Sequence, residues 1–549
     1  MQFLLQAGYD LIIPFPFRSF NRGFPESFFV FSPSPPAAGV VKYWKRSVNQ
    51  MTLNEAVEKL KELEKASYAI GHAQAILSVD GDTVAPKNSW KGRGKALAYL
   101  GEMTYRQLVS PETGEILETI LQHPEEVDEI TFRQAEEIRE AYDDIHVLPL
   151  EEFVAWQELT NESGAVWHEA KVKSDWNMFA PYLEKLVAAR RRYAALKAPD
   201  KPVYDVLVDL YEKGATMGTL DPFFKTLREE LSPVILEVAA REKPVPAFMK
   251  NAWPIAQQRV FSEKIMALEG IDPLNCTLGE TEHPFTNGTN KWDVRITTHY
   301  HEEDPFTSMY SVIHEGGHAL YELNVRDDLQ FTCLSGGATM GIHESQSRFY
   351  ENIIGRSRAF CTPLLKILKE VFPSQTASLT EEELYSAINL SKPSLIRTDA
   401  DELTYPLHVM IRYEIEKAMM SGSLPVKDIP GELNRMYREV LVVEVPDDCR
   451  GCLQDSHWSF GGMGYFPSYA LGSAYGVQML REMEKSVDVW GTVAKGDLSP
   501  VTAWLADKIH QYCSLKKPKG LLPAAMGGPL DPTVYTGYLK KKYSELYSL

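Results

Sequence analysis

The spacing of apolar residues changes abruptly at Met51. The sequence Thr52-Leu53-Asn54-Glu55 has the form of a capping box, in which a threonine and a glutamate close the first turn of a helix. Behind it, Ala56, Leu60 and Leu63 follow at helical intervals. Long amphipathic stretches of this kind, separated by prolines and glycines, continue to the C-terminus and predict a mainly α-helical protein.

Other helices are marked by their ends or by prolines. A second capping box, Thr380-Glu381-Glu382-Glu383, opens one helix, and residues 403–420 predict another that ends at Gly422. Prolines at positions 222, 233, 244, 246 and 254 predict that residues 221–268 form several helical pieces, because proline lacks the amide hydrogen that a helix interior needs.

The best strand signal covers residues 293–301. Odd-numbered positions there are polar or charged and even-numbered positions mostly apolar, which is the period of a strand with one buried face. We therefore expect Asp293, Arg295, Thr297 and His299 to share one face. A half-exposed edge strand would give the same period.

Residues 1–50 differ in composition from the rest of the chain. They carry five basic and two acidic side chains, 11 aromatic residues and six prolines, without a helical or strand period. A secretory signal is disfavoured, since no basic stretch precedes the apolar residues and Asp10 interrupts them. We expect a disordered or upstream-translated leader outside the fold, with an organelle-targeting segment as the alternative, and a single helical domain over residues 51–549.

Charge and cysteine content restrict the partners and the compartment. The chain has 57 lysines and arginines against 75 aspartates and glutamates, a formal net charge of −18 that disfavours nucleic acid. No uncharged apolar run approaches the roughly 18 residues of a membrane span, so we expect no membrane partner. Six cysteines in 549 residues do not form a disulfide framework and are typical of a reducing compartment, which predicts a cytoplasmic protein.

The chemistry is concentrated in the sequence Val312-Ile313-His314-Glu315-Gly316-Gly317-His318-Ala319-Leu320-Tyr321. His314 and His318 lie four residues apart, so on a helix both imidazoles project from one face and can bind one metal ion. Glu315 can reach a water molecule on that ion without being a ligand itself. The flanking apolar residues predict that this helix is buried. Two adjacent glycines destabilise a helix by about 1 kcal/mol each relative to alanine, which indicates that another backbone or a substrate approaches closely.

A catalytic zinc site needs a third protein ligand and an open coordination position. The candidates are His343 and Glu344, in the sequence Gly341-Ile342-His343-Glu344-Ser345-Gln346. Adjacent helical residues point about 100° apart, so only one of the two is expected to coordinate. Spacing alone does not choose between them, and the other residue can orient a ligand from behind.

The chain resembles the carboxypeptidase Taq family of zinc-dependent metallocarboxypeptidases. The resemblance extends from about Leu77 to the C-terminal region, and one departure is Val79, where the family typically has tryptophan. It rests on an ordered set of motifs. Besides the two metal motifs, the set comprises His283-Pro284-Phe285, Asp293-Val294-Arg295-Ile296-Thr297, Ile396-Arg397-Thr398-Asp399-Ala400-Asp401, Gly451-Cys452-Leu453-Gln454-Asp455-Ser456-His457-Trp458 and Gly464-Tyr465-Phe466-Pro467-Ser468-Tyr469.

The resemblance implies a mainly α-helical enzyme with a deep substrate groove, a short β-strand region near the zinc helix and a homodimeric assembly. It implies zinc as the cofactor, with cobalt as the alternative, bound by His314, His318 and Glu344. It also implies Glu315 as the catalytic acid and base, and peptides as substrates that lose their C-terminal amino acids.

Two further roles need candidates from the same motifs. Charge that develops on the carbonyl oxygen needs a donor besides the metal, and of His457, Tyr465 and Tyr469 we favour His457 and Tyr465. Plain aromatic packing is the alternative for the tyrosines.

The terminal carboxylate of a substrate needs a partner as well. Arginine is shaped to pair with it through two hydrogen bonds, which makes Arg397 and Arg295 the candidates. A structural salt bridge with neighbouring aspartates is the alternative for each arginine. His283 is expected either to line the pocket or to cap a turn.

Two alternatives to this interpretation exist. Cys449 and Cys452 form a C-x-x-C pair, but a structural zinc site would need a second pair, so we interpret both as incidental thiols. The alternative enzyme is a metalloendo-oligopeptidase with the same H-E-x-x-H helix. A catalytically silent scaffold is disfavoured by the intact metal residues.

Overall fold

The computed structural model describes residues 51–241 and 243–549, and the predicted leader lies outside the described residues. The described part is mainly helical, as predicted, with one small three-stranded sheet. No helix within it combines the length and apolar character that a membrane span needs. In chain order the elements are α1 (Leu53–Thr83), α2 (Trp90–Leu108), α3 (Pro111–Leu121), α4 (Glu129–His146), α5 (Leu150–Lys173), α6 (Trp176–Lys197), α7 (Val203–Val208), α8 (Met217–Ala239), α9 (Ile255–Glu269), β1 (Cys276–Glu280), β2 (Thr286–Asn290), β3 (Asp293–Thr298), α10 (Pro305–Leu323), α11 (Met340–Arg348), α12 (Cys361–Val371), α13 (Pro373–Thr376), α14 (Glu381–Ile388), α15 (Tyr405–Ser421), α16 (Ile429–Met436), α17 (Pro467–Met483), α18 (Val489–Ala494), α19 (Ser499–Leu505), α20 (Pro518–Met526) and α21 (Pro532–Tyr547).

The predicted helix ends are present. At the start of α1, Thr52 and Glu55 each accept a hydrogen bond from the backbone of the other. Thr380 and Glu383 do the same at the start of α14. Gly422 follows α15 with φ of +88°, a left-handed conformation that costs glycine little and ends the helix there.

The prediction that prolines divide residues 221–268 is wrong for two of them. Pro222 and Pro233 lie inside the single helix α8, whereas Pro244, Pro246 and Pro254 lie between α8 and α9. Burial of one apolar face outweighs the backbone hydrogen bonds that the two internal prolines remove. That face comprises Leu220, Phe223, Leu227, Leu231 and Ile235.

Two groups of buried apolar side chains hold the helices together. The smaller group joins α1, α3 and α4 through residues such as Leu60, Leu117 and Ile138. The larger group runs from α5 to α21 and surrounds α10, α11 and α17. Helix α17 is buried along almost its whole length and packs against α11. The region that carries the motifs therefore lies at the centre of the larger core.

The sheet positions the H-E-x-x-H helix, because β3 leads into α10 through a short connection. The strand order is β1-β3-β2, with β1 parallel and β2 antiparallel to β3. The predicted strand exists, but it ends at Thr298 and is central, so the edge-strand alternative is wrong. Val294 and Ile296 are buried while Asp293 and Arg295 are half-buried, as the two-residue period predicted. Thr297 departs from this period because it is buried, and His299 lies beyond the end of β3.

Candidate active site

Helix α10 begins with a strong cap. Asp304 accepts from Phe306 N at 2.9 Å and from Thr307 N at 3.3 Å, and Pro305 occupies the first position, where no amide hydrogen is needed. The helix is buried along most of its length, which places the H-E-x-x-H residues inside the protein, as predicted.

The paired glycines of α10 allow close contacts. A Cβ on Gly317 would stand 2.7 Å from both Gln346 O and Ser347 Cα, so the backbone of α11 crosses the helix at this point. A Cβ on Gly316 would overlap the carboxylate of Glu269. The expected approach of another backbone is therefore present at Gly317, where it joins α10 to α11.

Helix α11 carries Glu344 between two neighbouring helices. Thr339 caps it by accepting from Ile342 N at 3.1 Å. On its other side, a Cβ on Gly472 of α17 would stand 2.9 Å from Glu344 Cβ. The position of Glu344 is thus set by close contacts with both α10 and α17.

Three side chains from α10 and α11 converge. The Nε2 atoms of His314 and His318 lie 3.7 Å and 3.5 Å from Glu344 Oε2. The three ligand atoms all lie within 4.8 Å of one another, and among the described residues this is the only such group of His, Cys, Asp or Glu side chains. We refer to His314, His318 and Glu344 as the metal cluster.

His314 is oriented from behind by a carboxylate. Its Nδ1 donates to Glu351 Oε2 at 2.9 Å, which leaves Nε2 to face the cluster. Arg348 donates from Nη1 to Glu351 at 3.1 Å and from Nε to Glu344 Oε1 at 2.7 Å. Burial alone would raise the pKa of Glu344, but the charge of Arg348 and the two neighbouring imidazoles outweigh it and hold that pKa well below its usual range.

His318 is oriented by His343, the other candidate for the third ligand. Its Nδ1 lies 2.6 Å from His343 Nδ1, and His343 Nε2 donates to Glu322 Oε1 at 2.8 Å. Since His343 donates from Nε2, its Nδ1 accepts from His318, whose Nε2 then carries a lone pair toward the cluster. Burial lowers the pKa of His318 to about 3, so the imidazole is neutral at neutral pH.

Glu315 adjoins the metal cluster without being a member of it. Its Oε2 accepts from Thr286 Oγ1 of β2 at 2.6 Å, which links the sheet to the helix. Burial raises the pKa of its carboxyl above the usual value. A raised pKa suits a carboxyl group that exchanges protons near neutral pH.

The donor set fits a divalent metal ion. Two imidazoles and one ionised carboxylate form a set typical of catalytic zinc, in which a fourth position remains for water or substrate. Both imidazoles present Nε2 to Glu344 and have hydrogen-bond partners at Nδ1, as metal-binding histidines usually do.

Arg397 lies in the same buried region and is 5% exposed. Its Nε donates to Asp455 Oδ1 at 2.9 Å and its Nη1 to Tyr405 OH at 3.0 Å. Arg412 Nε binds the other oxygen of Asp455 at 2.6 Å. Tyr405 connects this network to the metal cluster, because the guanidinium of Arg348 stacks 4.3 Å from its ring.

The three candidate oxygen-stabilising residues lie together. His457 Nε2 and Tyr469 OH are 2.8 Å apart, and the rings of His457 and Tyr465 stack with centroids 5.3 Å apart. The ring of Tyr469 lies 4.9 Å from the guanidinium of Arg397. Burial lowers the pKa of His457 to about 3, so this imidazole is also neutral at neutral pH.

The remaining candidates have mainly structural contacts. Arg295 forms a two-pronged pair with Asp293, at 2.8 Å and 3.1 Å, and its side chain is 32% exposed. His283 is exposed in the turn between β1 and β2, where its carbonyl accepts from Thr281 Oγ1 at 2.9 Å. These contacts correspond to the salt bridge and the turn considered as alternatives for the two residues.

Cys449 and Cys452 are both free thiols. Burial raises the pKa of Cys452 well above its usual value, which disfavours the reactive thiolate. The environment of Cys452 favours the interpretation that this thiol is incidental.

The residues that hold the functional side chains in place are not among the predicted site residues. One signal was available, since Arg348 and Glu351 lie four and seven residues after Glu344 and therefore share its helix face. The partners on β2, α10 and α15 depend on packing and carried no local signal. The missed residues are Thr286, Glu322, Arg348, Glu351, Tyr405 and Arg412. Asp455 lies within one of the quoted motifs, but no role was predicted for it.

Comparison with known proteins identifies the family. The profile of the carboxypeptidase Taq (M32) metallopeptidases matches residues 59–543. "Carboxypeptidase 1" of Bacillus subtilis is 38% identical over 497 residues, which cover 90% of this chain and 98% of that protein. "Thermostable carboxypeptidase 1" of Pyrococcus furiosus is 34% identical over 502 residues, which cover 89% and 99%.

A solved structure agrees with this assignment. The M32 carboxypeptidase of Deinococcus radiodurans R1 superposes with a TM-score of 0.86 at 32% identity, over 90% of this chain and 99% of that one. The resemblance inferred from the motifs and the helical fold are both confirmed. The chain belongs to the carboxypeptidase Taq (M32) family of metallopeptidases, and it is a metallocarboxypeptidase.

Proposed function

We propose that this chain removes C-terminal amino acids from peptides in a zinc-dependent reaction at His314, His318 and Glu344. The observation that carries the proposal is the convergence of the three ligand atoms within 4.8 Å, beside Glu315. Zinc is the ion for which two imidazoles and one carboxylate are a known catalytic set, and cobalt is the alternative.

Glu315 is the proposed acid and base. A zinc ion in the cluster supplies Lewis-acid polarisation of the scissile carbonyl and lowers the pKa of a bound water toward ~7. Glu315 takes a proton from the attacking water and delivers it to the leaving amine. Thr286 supports this role by fixing one carboxylate oxygen of Glu315 and leaving the other for the water.

We assign the terminal carboxylate of the substrate to Arg397 in preference to Arg295. Arg397 is connected to the metal cluster through Tyr405 and Arg348, whereas Arg295 uses its fork on Asp293. Within the described residues, Arg397 uses one N–H of Nη1 on Tyr405 and one N–H of Nη2 on Asp455. Each of these nitrogens carries a second N–H that can bind a substrate carboxylate.

His457 and Tyr465 are the proposed donors to the carbonyl oxygen as its charge develops. The Nδ1 atom of His457 is buried without a hydrogen-bond partner in the described part of the chain, which supports its availability for a substrate. The neutral imidazole can carry its hydrogen on that atom. His283 remains a proposed residue of the substrate groove.

The wider assignments rest on sequence properties. We propose a cytoplasmic protein that acts on peptides, without nucleic-acid or membrane partners, because the chain is acidic and its cysteines are free. The homodimer is proposed from the motifs that resemble the carboxypeptidase Taq family. We also propose that residues 51–549 form one catalytic domain and that residues 1–50 take no part in it, with organelle targeting as their alternative role.

Alanine variants distinguish the three metal ligands from His343, which orients one of them. His314→Ala, His318→Ala and Glu344→Ala should each lose the metal, whereas His343→Ala should keep it with affinity reduced about 10- to 100-fold. Glu315→Gln should bind metal normally while kcat falls by at least ~10² to 10⁴. Metal content after desalting and peptide turnover are the measurements.

Two results would contradict the assignments. Full metal occupancy in Glu344→Ala combined with loss of metal in His343→Ala would make His343 the third ligand. Near-normal turnover by Glu315→Gln would remove Glu315 from the reaction.

A further inference from the structure

A cavity of about 110 Å³ opens beside the metal cluster. Near the cluster it is lined by Thr286, Glu322 and His343, and it continues between β2 and α1 to Tyr68 and Phe331 at its outer end. Trp292 stacks on Phe331, with ring centroids 5.9 Å apart and ring planes 26° apart. Tyr68 and Phe331 line the cavity, and Trp292 adjoins it through its stacking on Phe331; we call the three residues the aromatic mouth.

The aromatic mouth is exposed, and one of its residues, Phe331, has a strained backbone conformation. Trp292 is 50% and Phe331 44% exposed, and the Tyr68 ring meets Phe331 edge-on at 4.9 Å. Phe331 has φ of +65°, a region that residues of this size rarely adopt. Backbone strain at a residue that is 44% exposed is typical of binding sites.

The cavity wall also offers polar atoms to a ligand. His72 Nδ1 and Asn287 Oδ1 are buried there and have no hydrogen-bond partner among the described residues. Buried polar atoms are normally paired. A peptide backbone, with one donor and one acceptor per residue, can pair with both.

The cavity and the contacts that lead to Arg397 meet α11 on either side of Glu344 in the sequence. Along α11, His343 precedes Glu344 and lines the cavity, whereas Arg348 follows it and stacks on Tyr405, the partner of Arg397. A substrate whose C-terminus is held at Arg397 therefore extends its upstream residues into the cavity. This step rests on the proposed function.

The length of β2 gives the distance from Glu315 to the aromatic mouth. Its first residue, Thr286, bonds to Glu315, and its last, Asn290, donates to Tyr68 OH at 3.0 Å. Four residues of extended chain span about 13 Å at ~3.3 Å each. An extended peptide lying along β2 therefore reaches the aromatic mouth with roughly the fourth residue upstream of the scissile bond.

We propose that Tyr68, Trp292 and Phe331 form a specificity subsite that selects an aromatic or large aliphatic side chain about four residues upstream of the scissile bond. The side chain packs on the faces of Trp292 and Phe331, while the peptide backbone meets His72 and Asn287. The subsite favours peptides long enough to reach it.

A positional peptide series tests this inference. Peptides of equal length and with the same C-terminal residue carry one phenylalanine, moved along otherwise serine positions, and release of the terminal residue is followed by mass spectrometry. We expect kcat/KM to peak when phenylalanine lies three to five residues upstream, at about tenfold above serine there, through a lower KM. Phe331→Gly, which relieves the strained backbone, and Trp292→Ala should each reduce the peak to within about twofold of serine.

Controls separate this inference from the proposed function. Tyr99→Ala removes another exposed aromatic side chain, 65% exposed on α2, and should leave the peak unchanged. A blocked dipeptide is too short to reach the mouth and should be cleaved at the native rate by every variant. No positional preference in the native enzyme, or a peak that survives in Trp292→Ala, would overturn the subsite while dipeptide cleavage upheld the carboxypeptidase assignment. Failure to release the terminal residue from any peptide would overturn both.

Discussion

Gly317→Ala tests whether the close crossing of α10 and α11 holds the metal cluster together. The glycine stands one residue before His318, and a Cβ there would lie 2.7 Å from Gln346 O and Ser347 Cα. Both of those atoms are backbone atoms of the helix that carries Glu344. Because neither can rotate away, the two helices must separate.

The size of the effect follows from that distance. Ordinary carbon contacts begin at about 3.5 Å, so the helices must move apart by roughly 0.8 Å. Overpacking of this kind costs about 1–3 kcal/mol, and alanine returns about 1 kcal/mol through its higher helix propensity. We expect the variant to lose up to about 2 kcal/mol of stability. Metal–ligand distances tolerate only about ±0.2 Å, so we also expect metal affinity to fall at least about tenfold.

Thermal unfolding without metal and titration against a chelator measure the two effects separately. Gly537→Ala is the matched control, because its Cβ on α21 would meet no atom within 4 Å, and it should be stabilising by up to about 1 kcal/mol. Native metal affinity in Gly317→Ala, together with unchanged or raised stability, would refute the claim that this crossing sets the ligand geometry.

Four further predictions concern Glu351, Asp455 and its pH dependence, and residues 1–50. Glu351→Gln should weaken metal binding about 10- to 100-fold in a competitive titration, because Glu351 orients His314; native affinity would remove that role. Asp455→Asn should cost about 3–5 kcal/mol in urea unfolding at pH 7, since it leaves Arg397 without its buried partner, and a loss under about 1 kcal/mol would contradict this. Arg397 and Arg412 hold the pKa of Asp455 below its unfolded value near 4, so the contribution of this carboxylate to folding stability is complete above that pH and is lost as the pH falls. The native protein should therefore lose more stability than the variant between pH 5 and pH 3. A chain beginning at Met51 should fold and keep its activity; an insoluble or inactive product would place residues 1–50 in the fold.

Local patterns were sufficient for the elements whose signal lies within a few residues. The capping residues of α1 and α14 interact with positions three residues away, so the sequence alone locates both helix ends. His314 and His318 share a helix face for the same reason. The paired glycines also predicted a close contact, although the sequence does not indicate which helix makes it.

What the sequence could not predict depends on tertiary packing. The edge strand β2 reads Thr-Asn-Gly-Thr-Asn and has no apolar alternation, so it forms only because β3 pairs with it. Helix α8 continues through two prolines because its apolar face is buried. Glu351, His343 and Asp455 acquire their roles only when separate elements pack together. For the same reason, spacing in the sequence could not decide whether His343 or Glu344 is the third ligand.

The most direct test of the central claim compares a peptide with a free C-terminus and the same peptide with an amidated C-terminus. If Arg397 pairs with the terminal carboxylate, the lost charge-assisted hydrogen bonds of about 1.5–3 kcal/mol should lower kcat/KM about ten- to a hundredfold for the amide. Arg397→Ala should bring the free acid down toward the amide, and Arg397→Lys should recover part of the difference, since an ammonium lacks the planar fork. Mass spectrometry of the products should show stepwise loss of C-terminal residues from the free acid. Equal cleavage of the two peptides by the native enzyme, or cuts at internal bonds, would contradict the account.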